Sequence, residues 1–187
     1  FYILYEDSAK NGNLKNTVAS GISRPKIFAG TCVTSLAAAT FAMIIILFVW
    51  ILSAQTLLPH TGAVTFQDLI REALAIYLIA AASLISSIVC MELFRSSIVG
   101  ILFWGVIWFA VPKVFLYLAL KYDVFYPAAM WFPVNFFEIN SMHVTMNECV
   151  TIWDTVPGTI RCICSGVIGI LIFTAAGIIT VRRKDLD

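Results

Sequence analysis

From Ile27 to Gln67 the chain carries no Asp, Glu, Lys or Arg, and the apolar positions there run on without alternation. Three more uncharged runs follow. "ALAIYLIAAASLISSIVCM" covers 73–91, "SSIVGILFWGVIWFAV" leads from Ser96 to Pro112, and "CICSGVIGILIFTAAGIITV" covers 162–181. A membrane helix needs about 20 apolar residues at 1.5 Å each to cross a hydrocarbon core of about 30 Å. The pattern therefore predicts spans over 28–57, 73–91, 96–118 and 162–181. β-branched and aromatic residues are abundant, but barrel strands are shorter and alternate in polarity, which these runs do not.

Between the spans two segments break the pattern. Residues 6–26, "EDSAKNGNLKNTVASGISRPK", are polar, with Leu14, Val18 and Ile22 recurring at i, i+4 and i+8. That spacing predicts a short amphipathic helix, broken at Ser20-Gly21, with Pro25 marking a bend before the first full span. Residues 119–160 contain Tyr122, Phe125, Tyr126, Trp131, Phe132, Phe136, Phe137 and Trp153, together with Pro127, Pro133 and Pro157. A stretch too polar to span and too apolar to float predicts interfacial or re-entrant short helices seated by Trp and Tyr. "FFEINSMHVTMNECVTIW" is the candidate for the second of them. "FYILY" at residues 1–5 reads as the end of a preceding span, so the expected whole has residues upstream of Phe1.

Composition agrees with lipid as part of the solvent. Hydrophobic residues make up 60% of 187 and charged residues 12%, more apolar surface than a soluble domain of this size can hide. With 12 Lys+Arg against 11 Asp+Glu the net charge is +1, which argues against a nucleic-acid partner. The basic residues are unevenly placed. Lys10, Lys15, Arg24, Lys26, Arg95, Arg182, Arg183 and Lys184 fall on one side of the predicted topology. Arg71, Lys121 and Arg161 fall on the other, with Lys113 near the end of a span. The positive-inside rule then puts 6–26, the Arg95 turn and the C-terminus in the cytoplasm, with loops 58–70 and 119–160 outside.

Catalytic signatures are sparse. His143 and Asn147 stand at i and i+4, an HxxxN spacing shared with intramembrane CAAX-type proteases, but the paired-Glu motif and second intramembrane histidine of those enzymes are missing. There is no HExxH, CxxC or G-x-x-x-x-G-K-[ST], hence no zincin helix, Cys-pair metal site or phosphate loop. Cys32 and Cys90 fall in or near spans, where cysteine acts as a small apolar residue. Cys149 could bridge to Cys162 or Cys164 on the outer side, with free thiols the expected state. Gly166, Gly169, Ala176 and Gly177 suit close helix packing. Arg71, Glu72, Lys113 and Arg161 are explained by snorkelling at an interface, and Glu92–Arg95 by a local i,i+3 pair.

The order of these features resembles one family. A Glu at the end of a span, a Gly-polar pair, a short helix and "SGISR" before a long apolar run are similar to the cytoplasmic loop of ABC-2-type ABC transporter permeases, of the type V exporter kind. The basic ending "GIITVRRKDLD" and the aromatic segment before the last span fit the same pattern. The resemblance covers the chain as the tail of span two through span six. It implies an all-α polytopic helical bundle with a cytoplasmic coupling helix and extracellular re-entrant helices. Glu6, Gly12, Asn13, Leu14, Val18, Ser20, Gly21, Ser23 and Arg24 would be the partner-binding residues, docking on an ATPase subunit. It further implies no catalysis in this chain, with ATP and Mg on the partner ATPase, and a second permease subunit, identical or not. The location would be a bacterial cytoplasmic membrane, and the cargo amphiphilic: a peptide, a lipid-like or a drug-like molecule. Two positions depart from the family's pattern: Gly-Thr is Gly12-Asn13 here, and Gly30-Thr31 stand where a Lys is common. The competing expectation is a non-transporting membrane scaffold or immunity protein that binds through the aromatic outer loop. A hydrolase built on His143, Glu148 and Cys149 is the third.

Overall fold

The computed structural model describes residues 23–57, 66–94, 96–139, 143–144, 149–150 and 156–183. Its helices are α1 (Arg24–Leu57), α2 (Phe66–Phe94), α3 (Ser97–Gly105), α4 (Val111–Lys121), α5 (Tyr126–Ala129), α6 (Pro133–Ile139) and α7 (Val156–Arg183). A π-helical turn, Val106–Ala110, joins α3 to α4 into one continuous rod. Four helices are long and apolar enough to cross a membrane: Arg24–Leu57, Phe66–Phe94, Ile98–Lys121 and Val156–Arg183. The chain is a helical membrane protein.

Helix α2 is the centre of the bundle, and α7 runs parallel to it. Cys162 is fully buried in a cluster with Ala75 and Ile79. One turn on, a Cβ at Gly166 would stand 2.5 Å from the Leu78 Cβ and 2.9 Å from its carbonyl carbon. At Gly169 it would stand 2.9 Å from the Ala82 Cβ. These glycines let two backbones approach along several turns, the device expected where lipid tails are as apolar as leucine and only close packing rewards association. The expectation from the small residues of the last span is met.

Helix α1 joins this pair mainly at its start. Phe28 is its one fully buried residue and packs with Ile85, Ile88, Val89 and Val181. The tip of the Phe28 ring meets Gly177, where an added Cβ would come within 2.2 Å of Cζ. Farther along, the Thr40 and Tyr77 hydroxyls share a hydrogen bond of 2.8 Å.

The third spanning rod begins tightly. Gly100 sits on the Met91 backbone, where a Cβ would meet Cα at 2.9 Å, so α2 and α3 form a close antiparallel hairpin. Pro112 then removes one backbone donor from the rod, and Val111 N–H reaches five residues back to Val106 O instead of four. On this stretch two indoles donate into α2. Trp104 Nε1 reaches Ser83 O at 3.1 Å, Trp108 Nε1 reaches Ser86 Oγ at 2.7 Å, and Ser86 Oγ passes the chain to Ser83 O at 2.7 Å. Ser86 is wholly buried, so this relay satisfies a hydroxyl that would otherwise be stranded among apolar side chains.

The helices outrun the apolar runs that announced them. Helix α7 starts at Val156, so Pro157 stands in its first turn and not in the loop expected over 119–160. A proline at the second position of a helix gives up a donor that has no partner there anyway. For the same reason Pro25 is accommodated in the first turn of α1. Ser23 O accepts the N–H groups of Lys26 at 2.9 Å and Ile27 at 3.3 Å, which starts the helix at Arg24. The third rod continues to Lys121, so Lys113 lies about 12 Å, eight residues of rise, before its end rather than near it.

Candidate functional site

Of the residues proposed to bind a partner, Glu6, Gly12, Asn13, Leu14, Val18, Ser20 and Gly21 lie outside the described residues. Ser23 and Arg24 are described. Ser23 opens α1 with its carbonyl, and Arg24 is the half-buried first residue of the helix. Four residues on, one turn along the same face, is Phe28. Sequence reasoning missed Phe28. The signal was present in its spacing from Arg24, but only the tertiary seat on Gly177 distinguishes it from the other aromatics of α1. The same end of the bundle carries Lys26, Glu92, Arg182 and Arg183, and Arg95 lies outside the described residues.

The opposite end holds a second constellation. After Lys121 the chain turns through a 3-10 turn (Asp123–Phe125) and α5, then runs back beside α4. Ala129 and Met130 are buried against Ala119, Phe115 and Leu116. Asn135, wholly buried on α6, donates through Nδ2 to Pro112 O at 2.7 Å and to Ala129 O at 3.2 Å. Pro112 lies nine residues before the end of α4, so the chain has come back about 13 Å along the rod. Phe136 completes the fold-back by entering the cluster of Ala75, Ile79 and Cys162, with Trp108 and Phe137 packed against it. Arg161 of α7 stands over the Phe136 ring, 5.4 Å from its centroid, a cation–π contact. Lys113 of α4 and Glu138 of α6 form an ion pair, each side chain about half exposed.

The predicted helical continuation beyond α6 gives way to a different structure. His143–Val144 (β1) pairs antiparallel with Cys149–Val150 (β2), His143 opposite Val150. The β-branched Val144 and Val150 favour this ladder over a helix. His143 therefore stands in a strand and not on a helix face, while Asn147 of the HxxxN spacing lies outside the described residues. Cys32, Cys90, Cys162 and Cys164 are free thiols, so no disulfide joins Cys149 to Cys162 or Cys164. Among the described residues no group of three His, Cys, Asp or Glu lies together in a way that could hold a metal ion.

The arrangement offers two places where a polar partner could act on an otherwise apolar bundle. One is the start of α1, with Arg24 a turn from the Phe28 seat. The other is the fold-back, with its buried amide and its ion pair. Comparison of the chain with protein-family models, with curated proteins and with solved structures gave no match.

Proposed function

We propose that this chain is the membrane-spanning permease subunit of an ATP-driven exporter of the ABC-2 kind. A separate ATPase subunit would couple to the segment before α1. The observation that carries the reading is the seat of Phe28. It ties the first turns of α1, which emerge directly from the 6–26 segment, to α2 and α7 at one point. A push on that segment would enter the bundle beside Arg24 and pass through the Phe28 ring into its most closely packed helix pair. Most of the large apolar side chains farther along α1 are exposed, and in this reading that part of the helix tilts.

In this reading ATP-driven closure of two ATPase subunits biases a two-state assembly of two permease halves and switches access to the path between them. The 6–26 segment, the Arg95 turn and the C-terminus face the cytoplasm, and the fold-back of α5 and α6 is the outer re-entrant element. ATP and Mg belong to the partner. An amphiphilic cargo suits the apolar spans.

The test is co-purification from detergent with ATPase subunits of the source cell, comparing wild type with an Arg24→Glu, Leu14→Asp double variant. An ATPase captured by the wild type and lost from the variant supports coupling through this segment. Absence of an ATPase from both preparations sinks the permease reading and moves the scaffold reading ahead.

A further inference from the structure

Two apolar runs end abruptly at basic side chains. The uncharged stretch of α1 begins directly after Lys26, and that of α7 ends directly before Arg182 and Arg183. Phe28 and Val181, next to those boundaries, are buried in one cluster, and the tip of the Phe28 ring meets Gly177. The packing therefore brings two charge boundaries, far apart in sequence, to one level at one corner of the bundle. All three cations there are exposed.

They differ from the other described cations. Lys113 is paired with Glu138, Lys121 lies 5.6 Å from the centroid of the Tyr122 ring, and Arg161 stands over Phe136. Arg24 and Arg71 are engaged as well. Among the described residues, Lys26, Arg182 and Arg183 are the cations with no carboxylate or ring against them. Glu92, half-buried at the same end, is already engaged, and with none of these three. Like charges gathered without a counter-ion favour an anion between them.

What lies beneath the charges selects the anion. Ala29, Gly30 and Val33 follow Lys26 on its own face of α1, all exposed, with open space beside Gly30. On α7 Ile179, three and four residues before Arg182 and Arg183, is exposed too. A soluble anion gains nothing from these surfaces, whereas a phospholipid lays its acyl chains on them with its phosphate level with the cations. We propose that the corner between the start of α1 and the end of α7 seats an anionic phospholipid, its phosphate bridging Lys26 to Arg182 and Arg183. Basic pockets between membrane helices take acidic head groups in this way. The occupant fastens α1 to α7 beside the Phe28 seat. The seat requires only that α1 and α7 cross a bilayer, and it stands whether or not the chain is a permease.

The experiment purifies the full chain through dodecyl maltoside micelles holding equal amounts of phosphatidylglycerol and phosphatidylcholine, and measures how much of each lipid stays bound. Wild type is expected to prefer phosphatidylglycerol by about tenfold. Lys26→Gln alone, a change at an exposed position, should lower that preference about threefold, and Lys121→Gln at the other end should leave it unchanged. The triple variant Lys26→Gln, Arg182→Gln, Arg183→Gln should retain the two lipids within about twofold of each other. Circular dichroism of each variant checks that the helices persist. Inorganic phosphate in the wash at millimolar concentration should not displace the lipid. The proposal is overturned if wild type retains both lipids equally, if the triple variant keeps the preference, or if Lys26→Gln and Lys121→Gln lower it alike. Displacement by phosphate would overturn it too, because the corner would then read any anion and not a lipid.

Discussion

Helices α1 and α2 are both long and strongly apolar, yet the bundle treats them oppositely. In the most apolar stretch of α2 more than half of the residues, 56%, are buried; in that of α1 the share is 6%. Hydrophobicity therefore did not select the core. In a bilayer, leaving an apolar side chain against lipid costs little, so what separates the helices is shape and hydrogen bonding. Helix α2 meets Gly100 and Gly166 of its neighbours backbone to backbone, sets the Ala82 Cβ against Gly169, and receives two indole donors. Helix α1 offers its own glycine, Gly30, to open space.

That contrast is broken most severely by filling a glycine on the α2 side. Gly166→Leu drives a side chain into Leu78 backbone and Cβ. It should destabilise the bundle by about 3 kcal/mol, the upper range of core overpacking. Gly30→Leu, with nothing within 4 Å, should stay within about 0.5 kcal/mol of wild type. Denaturation in mixed micelles, followed by circular dichroism, compares the two directly. Equal losses would mean that α1 is as tightly held as α2. The fold-back should follow the α2 pattern: Asn135→Ala removes the donor to Pro112 O and Ala129 O from a sealed position and should cost about 2 kcal/mol. Easier proteolysis between α4 and α7 would locate that loss. Ser86→Ala leaves the Trp108 N–H without its acceptor and should cost about 1 kcal/mol, with Trp108→Phe in the same background adding little. Additive losses from those two would mean that the relay from Trp108 to Ser86 does not stabilise the pair.

How much of this was legible in the sequence follows the same division. The four spanning helices were, because uncharged runs of sufficient length leave few alternatives. The close packing of α7 was too, since Gly166, Gly169 and Gly177 recur on a span with little other purpose for them. Partnership was not. Phe28 is one of several aromatics along α1, and only the absence of a Cβ at Gly177 makes it an anchor. Asn135 and Glu138 looked like ordinary polar residues of an outer loop, because the sequence does not say that the chain doubles back to Pro112. The spacing of His143 and Asn147 would share a face only in a helix, and His143–Val144 instead pairs with Cys149–Val150 as strands. Of the candidate partner-binding residues the structure describes Ser23 and Arg24, at the start of α1 and one turn from the Phe28 seat.

The smallest expected effect tests how far α1 is coupled to α2 beyond its anchor. Thr40 also donates to Leu36 O at 2.7 Å within its own helix, so its hydroxyl is already satisfied before it meets Tyr77 at 2.8 Å. The cross-helix bond is therefore an addition rather than a rescue. Side-chain hydrogen bonds between membrane helices contribute on average about 0.6 kcal/mol, because the separated helices also find partners. Thr40→Val and Tyr77→Phe should each lose about that much, and the double variant no more than either, giving a coupling near 0.6 kcal/mol in a double-mutant cycle. Repeating the cycle with Phe28→Ala sharpens it. If the anchor alone holds α1 to the bundle, the Thr40–Tyr77 coupling should fall toward zero once Phe28 is gone, because the two hydroxyls no longer meet. A coupling unchanged by Phe28→Ala would show that α1 has a second, independent attachment at mid-helix, and the freedom to tilt about the Phe28 seat would go with it.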